Sequence, residues 1–196
     1  MSSKDCIFVS YRREDASADA RSIYQALRDR FGRDRLFIDV DTIERGTDFR
    51  TSLDRSLSNC RVLLAIIGRK WLDSADKAGK RRLDNPADFV RMELVRALEQ
   101  NIVVIPVLVD GANLPSPDEL PPDIRDLAYR QAAFVRHETF RQDVAALASD
   151  VERTVPPDNA PASRKWLAAA SLVALAAAAI MWSFLPVRYS WQTPSP

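Results

Sequence analysis

The chain has 196 residues, and its 28 Lys and Arg nearly cancel its 27 Asp and Glu to leave a formal net charge of +1. That length suits one domain of ordinary size with an appendage, and the balanced charge speaks against a polybasic nucleic-acid binder. One histidine and two cysteines, with no Cys/His cluster, argue against a metal centre.

Met1 to Asp5 is polar, and the apolar run after it is too short for a secretory leader. Cys6 to Ser10 reads as a short buried strand running into a polar loop, Tyr11 to Asp15. Ala20, Ile23, Leu27 and Phe31 recur every three or four residues, which predicts an amphipathic helix with Gly32 as its stop. Leu36 to Asp39 predicts a second strand and Val40 to Gly46 a loop. Phe49, Leu53 and Leu57 predict a second helix over about 48–58. Arg61 to Ile67 is apolar after its arginine, as in a central strand buried on both faces. Cys6 and Cys60, distant and in apolar settings, read as buried free thiols of a reducing compartment.

A long polar loop follows, with Trp71 near its start and a basic run from Lys77 to Arg82. Asp88 to Leu98 then predicts a helix. Phe89, Met92, Val95 and Leu98 suggest its apolar face, and Glu93 falls close to that face. Such a carboxylate is either held in a cleft or paired with Arg96 at the helix rim. Ile102 to Val109 predicts another apolar strand, in which Pro106 marks an edge or an irregularity. A proline-rich loop, a short helix near 123–127 and a short strand near 132–135 come next. Phe140, Val144, Leu147 and Val151 define a last amphipathic helix.

The C-terminal residues change character. Residues 156–165 form a Pro/Ala/Ser linker. Residues 166–187 read as a transmembrane helix: Trp166 to Leu185 holds no charge, and about 20 apolar residues suffice to cross a bilayer. Arg164 and Lys165 precede the span, so the N-terminal domain is expected to face the cytoplasm, with 188–196 a short tail beyond the membrane. Ala170, Ala174 and Ala178 would allow close packing of such helices.

Strands alternating with helices predict an α/β domain with a mostly parallel sheet of five strands and helices on both faces. Ligands of such sheets bind at the carboxyl ends of the strands. Ser10, Tyr11, Arg12 and Arg13 leave the first strand at that edge, where the arginines could meet phosphates. No Gly-x-Gly-x-x-Gly turn, no P-loop and no acidic receiver-domain pocket is present.

Several motifs in order resemble a Toll/interleukin-1 receptor (TIR) domain of bacterial type over about residues 4–152. They are Ile7 to Tyr11, Phe37 to Asp39 with the loop to Gly46, Leu63 to Trp71, Asp88 to Leu94, Val104 to Gly111 and Leu120 to Pro122. The resemblance implies a flavodoxin-like domain over 1–155 that works in one of two ways. Some TIR domains are adaptors that assemble with other TIR domains. Others cleave NAD+, as substrate and not cofactor, at the nicotinamide–ribose bond to give ADP-ribose or a cyclised product in defence or signalling. The enzymes often carry a glutamate in a Trp-x-x-x-Glu motif on the helix after the third strand. Glu93 matches it, and Phe89 stands where the tryptophan would be. Ser10, Tyr11, Arg12, Arg13, Asp39 and Phe89 are then expected around NAD+, and Trp71 either lines the same pocket or is an aromatic at the edge of the core. The resemblance implies self-association of the domain too, which anchoring in a membrane would favour.

Overall fold

The computed structural model describes residues 5–38 and 49–156. Among the described residues five strands form one sheet: β1 (Cys6–Tyr11), β2 (Leu36–Ile38), β3 (Cys60–Ile67), β4 (Val103–Val109) and β5 (Ala133–Val135). All neighbours are parallel, in the order β2-β1-β3-β4-β5. The helices are α1 (Arg13–Phe31), α2 (Phe49–Ser58), α3 (Phe89–Glu99) and α4 (Phe140–Glu152), with 3-10 segments at Pro117–Glu119 and Pro122–Tyr129 before β5.

The side-chain period of two along a strand divides the interior into two cores. Leu63, Ala65 and Ile67 of β3 pack with α2 and α3, whereas Val62, Leu64 and Ile66 pack with α1 and α4. A strand covered on both faces must be apolar at nearly every position, which is why β3 lacks alternation. Pro106 pairs with Ala65 of β3, and β5 joins β4 only from Val107 onward. The proline therefore stands just before β4 gains its second neighbour, where a missing N–H costs least.

Two expectations need correction here. Helix α3 buries Val90, Arg91, Glu93, Leu94 and Ala97, while Phe89 is 51% exposed. Of the expected Phe89–Met92–Val95–Leu98 stripe only Phe89 leaves the core; Met92, Val95 and Leu98 are half-buried against it, at the margin of a face centred on Val90, Leu94 and Ala97, and Glu93 belongs to the buried side. The cysteines are not free thiols: Cys6 and Cys60 form a disulfide. They begin adjacent parallel strands and oppose each other in register, a proximity hidden by their separation of 54 residues. Closing a loop of that length restricts the unfolded chain by about 4 kcal/mol in the chain-entropy treatment. Reduction should therefore lower the urea midpoint, and a Cys6→Ser/Cys60→Ser variant should show a lowered midpoint that dithiothreitol no longer changes. Equal midpoints with and without reductant in the wild type would refute this.

The entry to α4 is held by Asp143. Its carboxylate accepts from Arg136 Nε and Nη2, both at 2.9 Å, from the Arg136 backbone N–H at 3.0 Å and from Thr139 Oγ1 at 2.7 Å. The Arg136 side chain first, and Thr139 next, hold this carboxyl well below the usual carboxylate range. A depressed native pKa adds stability above the unfolded-state value of about 4 and loses it as pH falls through the native value. Asp143→Asn should accordingly melt below wild type at pH 7. The gap should narrow as pH drops below about 4, and a gap constant from pH 7 to 2 would contradict the assignment.

Among the described residues no helix is long and apolar enough to cross a membrane. The expected span at 166–187, the linker beyond Pro156, the tail, Asp39 and the loop 40–46 lie outside the described residues.

Candidate functional site

Strand order reverses between β1 and β3, and the crevice at the carboxyl ends of such a pair is where an open α/β sheet binds ligands. Cys6 and Phe8 of β1 face the α3 side of the sheet. The period of two carries Ser10 and Arg12 to that same side at the strand's end. The connection to α1 is shorter than the expected polar loop 11–15, because α1 already starts at Arg13.

Arg12 is buried and committed. Its Nη1 and Nη2 donate to the two carboxylate oxygens of Asp88 at 3.0 and 2.9 Å, and Nε donates to the Trp71 carbonyl at 3.1 Å. Its guanidinium lies 5.9 Å from the centre of the Trp71 ring. Asp88 is also the N-cap of α3, accepting from the Arg91 N–H at 3.2 Å, so one carboxylate both caps the helix and neutralises the arginine. Arg82 Nε reaches the same carboxylate at 3.2 Å, while Arg82 Nη1 donates to Glu14 at 3.0 Å. The start of α3 is thereby fastened to the end of β1.

Glu93 lies little more than one turn further along α3 and is 3% exposed. Ser10 Oγ donates to its Oε2 at 2.5 Å. A buried carboxylate is costly unless hydrogen-bonded or paired, and an O–H donor to an ionised oxygen is among the stronger single bonds available. Arg96, the partner that helix spacing allowed, instead binds Asp54 at 3.2 Å and Glu99 at 2.9 Å. Beside Glu93 a cleft of about 290 Å³ opens, with Tyr11, Arg13, Glu14, Arg82 and Phe89 in its walls. That volume suits one nucleoside-sized half of a dinucleotide. A larger cavity, about 690 Å³, lies at the opposite edge of the sheet near Cys60, Arg61 and Asn101. Among the described residues its lining includes no carboxylate, and Glu93 is not part of it. Among the described residues no group of three His, Cys, Asp or Glu could hold a metal.

Tyr11, Arg13, Phe89 and Glu93 thus line one cleft, while Ser10 lies buried behind it and reaches it only through Glu93. Two of the expected contacts differ. Arg12 borders the cleft but is engaged with Asp88, so its charge is already met. Trp71 is 1% exposed within the α3-side core, away from the cleft lining, and its buried Nε1 has no hydrogen-bond partner among the described residues. An aromatic after a strand reads equally as pocket or core, and here burial in the core it shares with Leu83 and α3 prevails. Asp88 and Arg82 escaped the sequence reading. An Asp just before a periodic apolar run is a recognisable cap signal, but the reach of Arg82 from the basic loop has no local signature.

A sequence model of a family described as TIR domain matches residues 7–148. No curated protein matches the chain in sequence. In fold the chain is similar to the TIR domains of the activated Roq1 resistosome directly recognizing the pathogen effector XopQ, at 14% identity and a TM-score of 0.53 over 76% of this chain and 98% of that one. It is also similar to a metazoan TIR-STING receptor from C. gigas in complex with 2′,3′-cGAMP, at 15% identity and a TM-score of 0.49 over 76% of this chain and 40% of the receptor.

Proposed function

As the chain belongs to the TIR domain family, we propose that it is an NAD+ nucleosidase whose essential carboxylate is Glu93. The observation that carries this reading is the buried Glu93 carboxylate, held by Ser10 beside a nucleoside-sized cleft. In the reaction the bond between ribose C1′ and the pyridinium nitrogen breaks, and its electron pair returns to the ring, so nicotinamide leaves neutral. Water then adds at C1′ and releases a proton, giving ADP-ribose. An internal nucleophile of the ADP-ribosyl group in place of water gives a cyclised product. Positive charge grows on the ribose as the bond breaks, and a carboxylate oriented in advance stabilises it. No acid is needed for the leaving group. Phe89 at the cleft wall offers a ring for stacking, and Arg13 and Arg82 in the same wall offer positive charge to a diphosphate.

The segment 166–187 anchors the domain in a membrane with residues 1–155 towards the cytoplasm, in a bacterial type of defence or signalling. Crowding in that plane promotes self-association. An adaptor without catalysis, acting by TIR–TIR assembly, is the second reading. It is favoured by the exposed aromatic rings on both edge strands, Phe37 at 40% and Phe134 at 58% exposure. The full chain reconstituted in vesicles at high density and given NAD+ separates the two. Release of nicotinamide supports the enzyme. Intact NAD+ under those conditions rejects it and leaves the adaptor.

A further inference from the structure

Ser10 and Arg12 stand two residues apart on one face of a strand end, and both reach α3. Arg12 holds the helix start through Asp88, and Ser10 holds Glu93. Ser10 is buried, 1% exposed, in a strand whose other α3-facing members are Cys6 and Phe8 of the core. A hydroxyl in such a place requires a partner. An ionised Glu93 can only accept, so the proton of this bond belongs to Ser10. The 2.5 Å separation lies at the short end of the range for a hydroxyl on an ionised carboxylate.

We propose that Ser10 is the positioning residue for Glu93: its hydroxyl fixes the rotation of the carboxylate and maintains its charge inside the cleft. The catalytic part of this rests on the nucleosidase reading, whereas the effect on Glu93 itself does not. Other ionisable groups face the same cleft among the described residues. Tyr11, Arg13 and Glu14 come from the end of β1 and the start of α1, and Arg82 from the loop before α3. The charges of Arg12 and Arg82 are shared with Asp88 and Glu14. Ser10 is set in a sheet rather than in a loop, which gives it little freedom to turn away.

The test follows the Glu93 carboxyl directly. Full-length protein carrying ¹³C at the glutamate carboxyl carbons is titrated by NMR, with Glu93→Gln identifying the resonance. In Ser10→Ala the Glu93 titration should move upward by about one pH unit, the size expected when a hydrogen bond to a charged group is lost. Ser10→Thr, which keeps the hydroxyl, should stay nearer the wild type. Steady-state NAD+ cleavage is followed in parallel. The acid limb of the Ser10→Ala profile should shift in the same direction, with kcat reduced about tenfold and KM little changed. An unmoved Glu93 titration in a folded Ser10→Ala protein overturns the proposal. A moved titration in a chain that never cleaves NAD+ supports the positioning role and rejects the nucleosidase reading instead.

Discussion

Glu93→Gln should reduce nicotinamide release by about 100- to 1,000-fold, the loss expected when one oriented charge is removed from a transition state. The amide keeps the shape of the carboxylate and can still accept from Ser10, so binding of NAD+ should change little and the effect should fall on kcat. Stability carries the opposite sign. A buried carboxylate costs desolvation that an amide does not, so the variant should unfold at an equal or higher urea concentration than wild type. That pairing of lost turnover with retained stability marks a residue kept for function. A clearly lower midpoint would make Glu93 a structural carboxylate. Unchanged turnover would remove it from the reaction altogether.

Asp88→Ala should cost about 3–5 kcal/mol, because it strands the Arg12 guanidinium in the interior without a counter-charge. It also removes the N-cap of α3, which adds about 1 kcal/mol. Against a total stability of about 5–15 kcal/mol for a domain this is a large share. Asp88→Asn keeps a capping oxygen and isolates the charge effect. Adding Arg12→Met to it should recover most of the loss, since a buried ion pair and a well-packed apolar replacement are often near equal in stability. Urea midpoints of the two single variants and the double variant form the test. A double variant as unstable as the sum of the singles would mean that the pair is not energetically coupled.

Much of the architecture was legible because local periodicity reports it. The spacing of Ala20, Ile23, Leu27 and Phe31 identified the inward face of α1, and all four are fully buried. The apolar run to Ile67 identified a two-sided central strand. In α3 the helix was right and the spacing chosen for its inward face was wrong. Residues at strict spacings of three drift by about 60° per step around a helix, so Phe89, Met92, Val95 and Leu98 cannot all face inward. Val90, Leu94 and Ala97, spaced by four and three, hold one stripe.

What the chain alone determined was therefore the kind, order and inward side of most elements, and the family through motifs that lie within them. What only the tertiary structure decided was which residues oppose one another. Cys6 meets Cys60, Arg12 meets Asp88 and Ser10 meets Glu93 across separations of 54, 76 and 83 residues. Periodicity tells a side chain to point inward, but the partner it meets there depends on strand order and helix placement. Those are set by the packing of the whole sheet, and no local stretch of sequence encodes them.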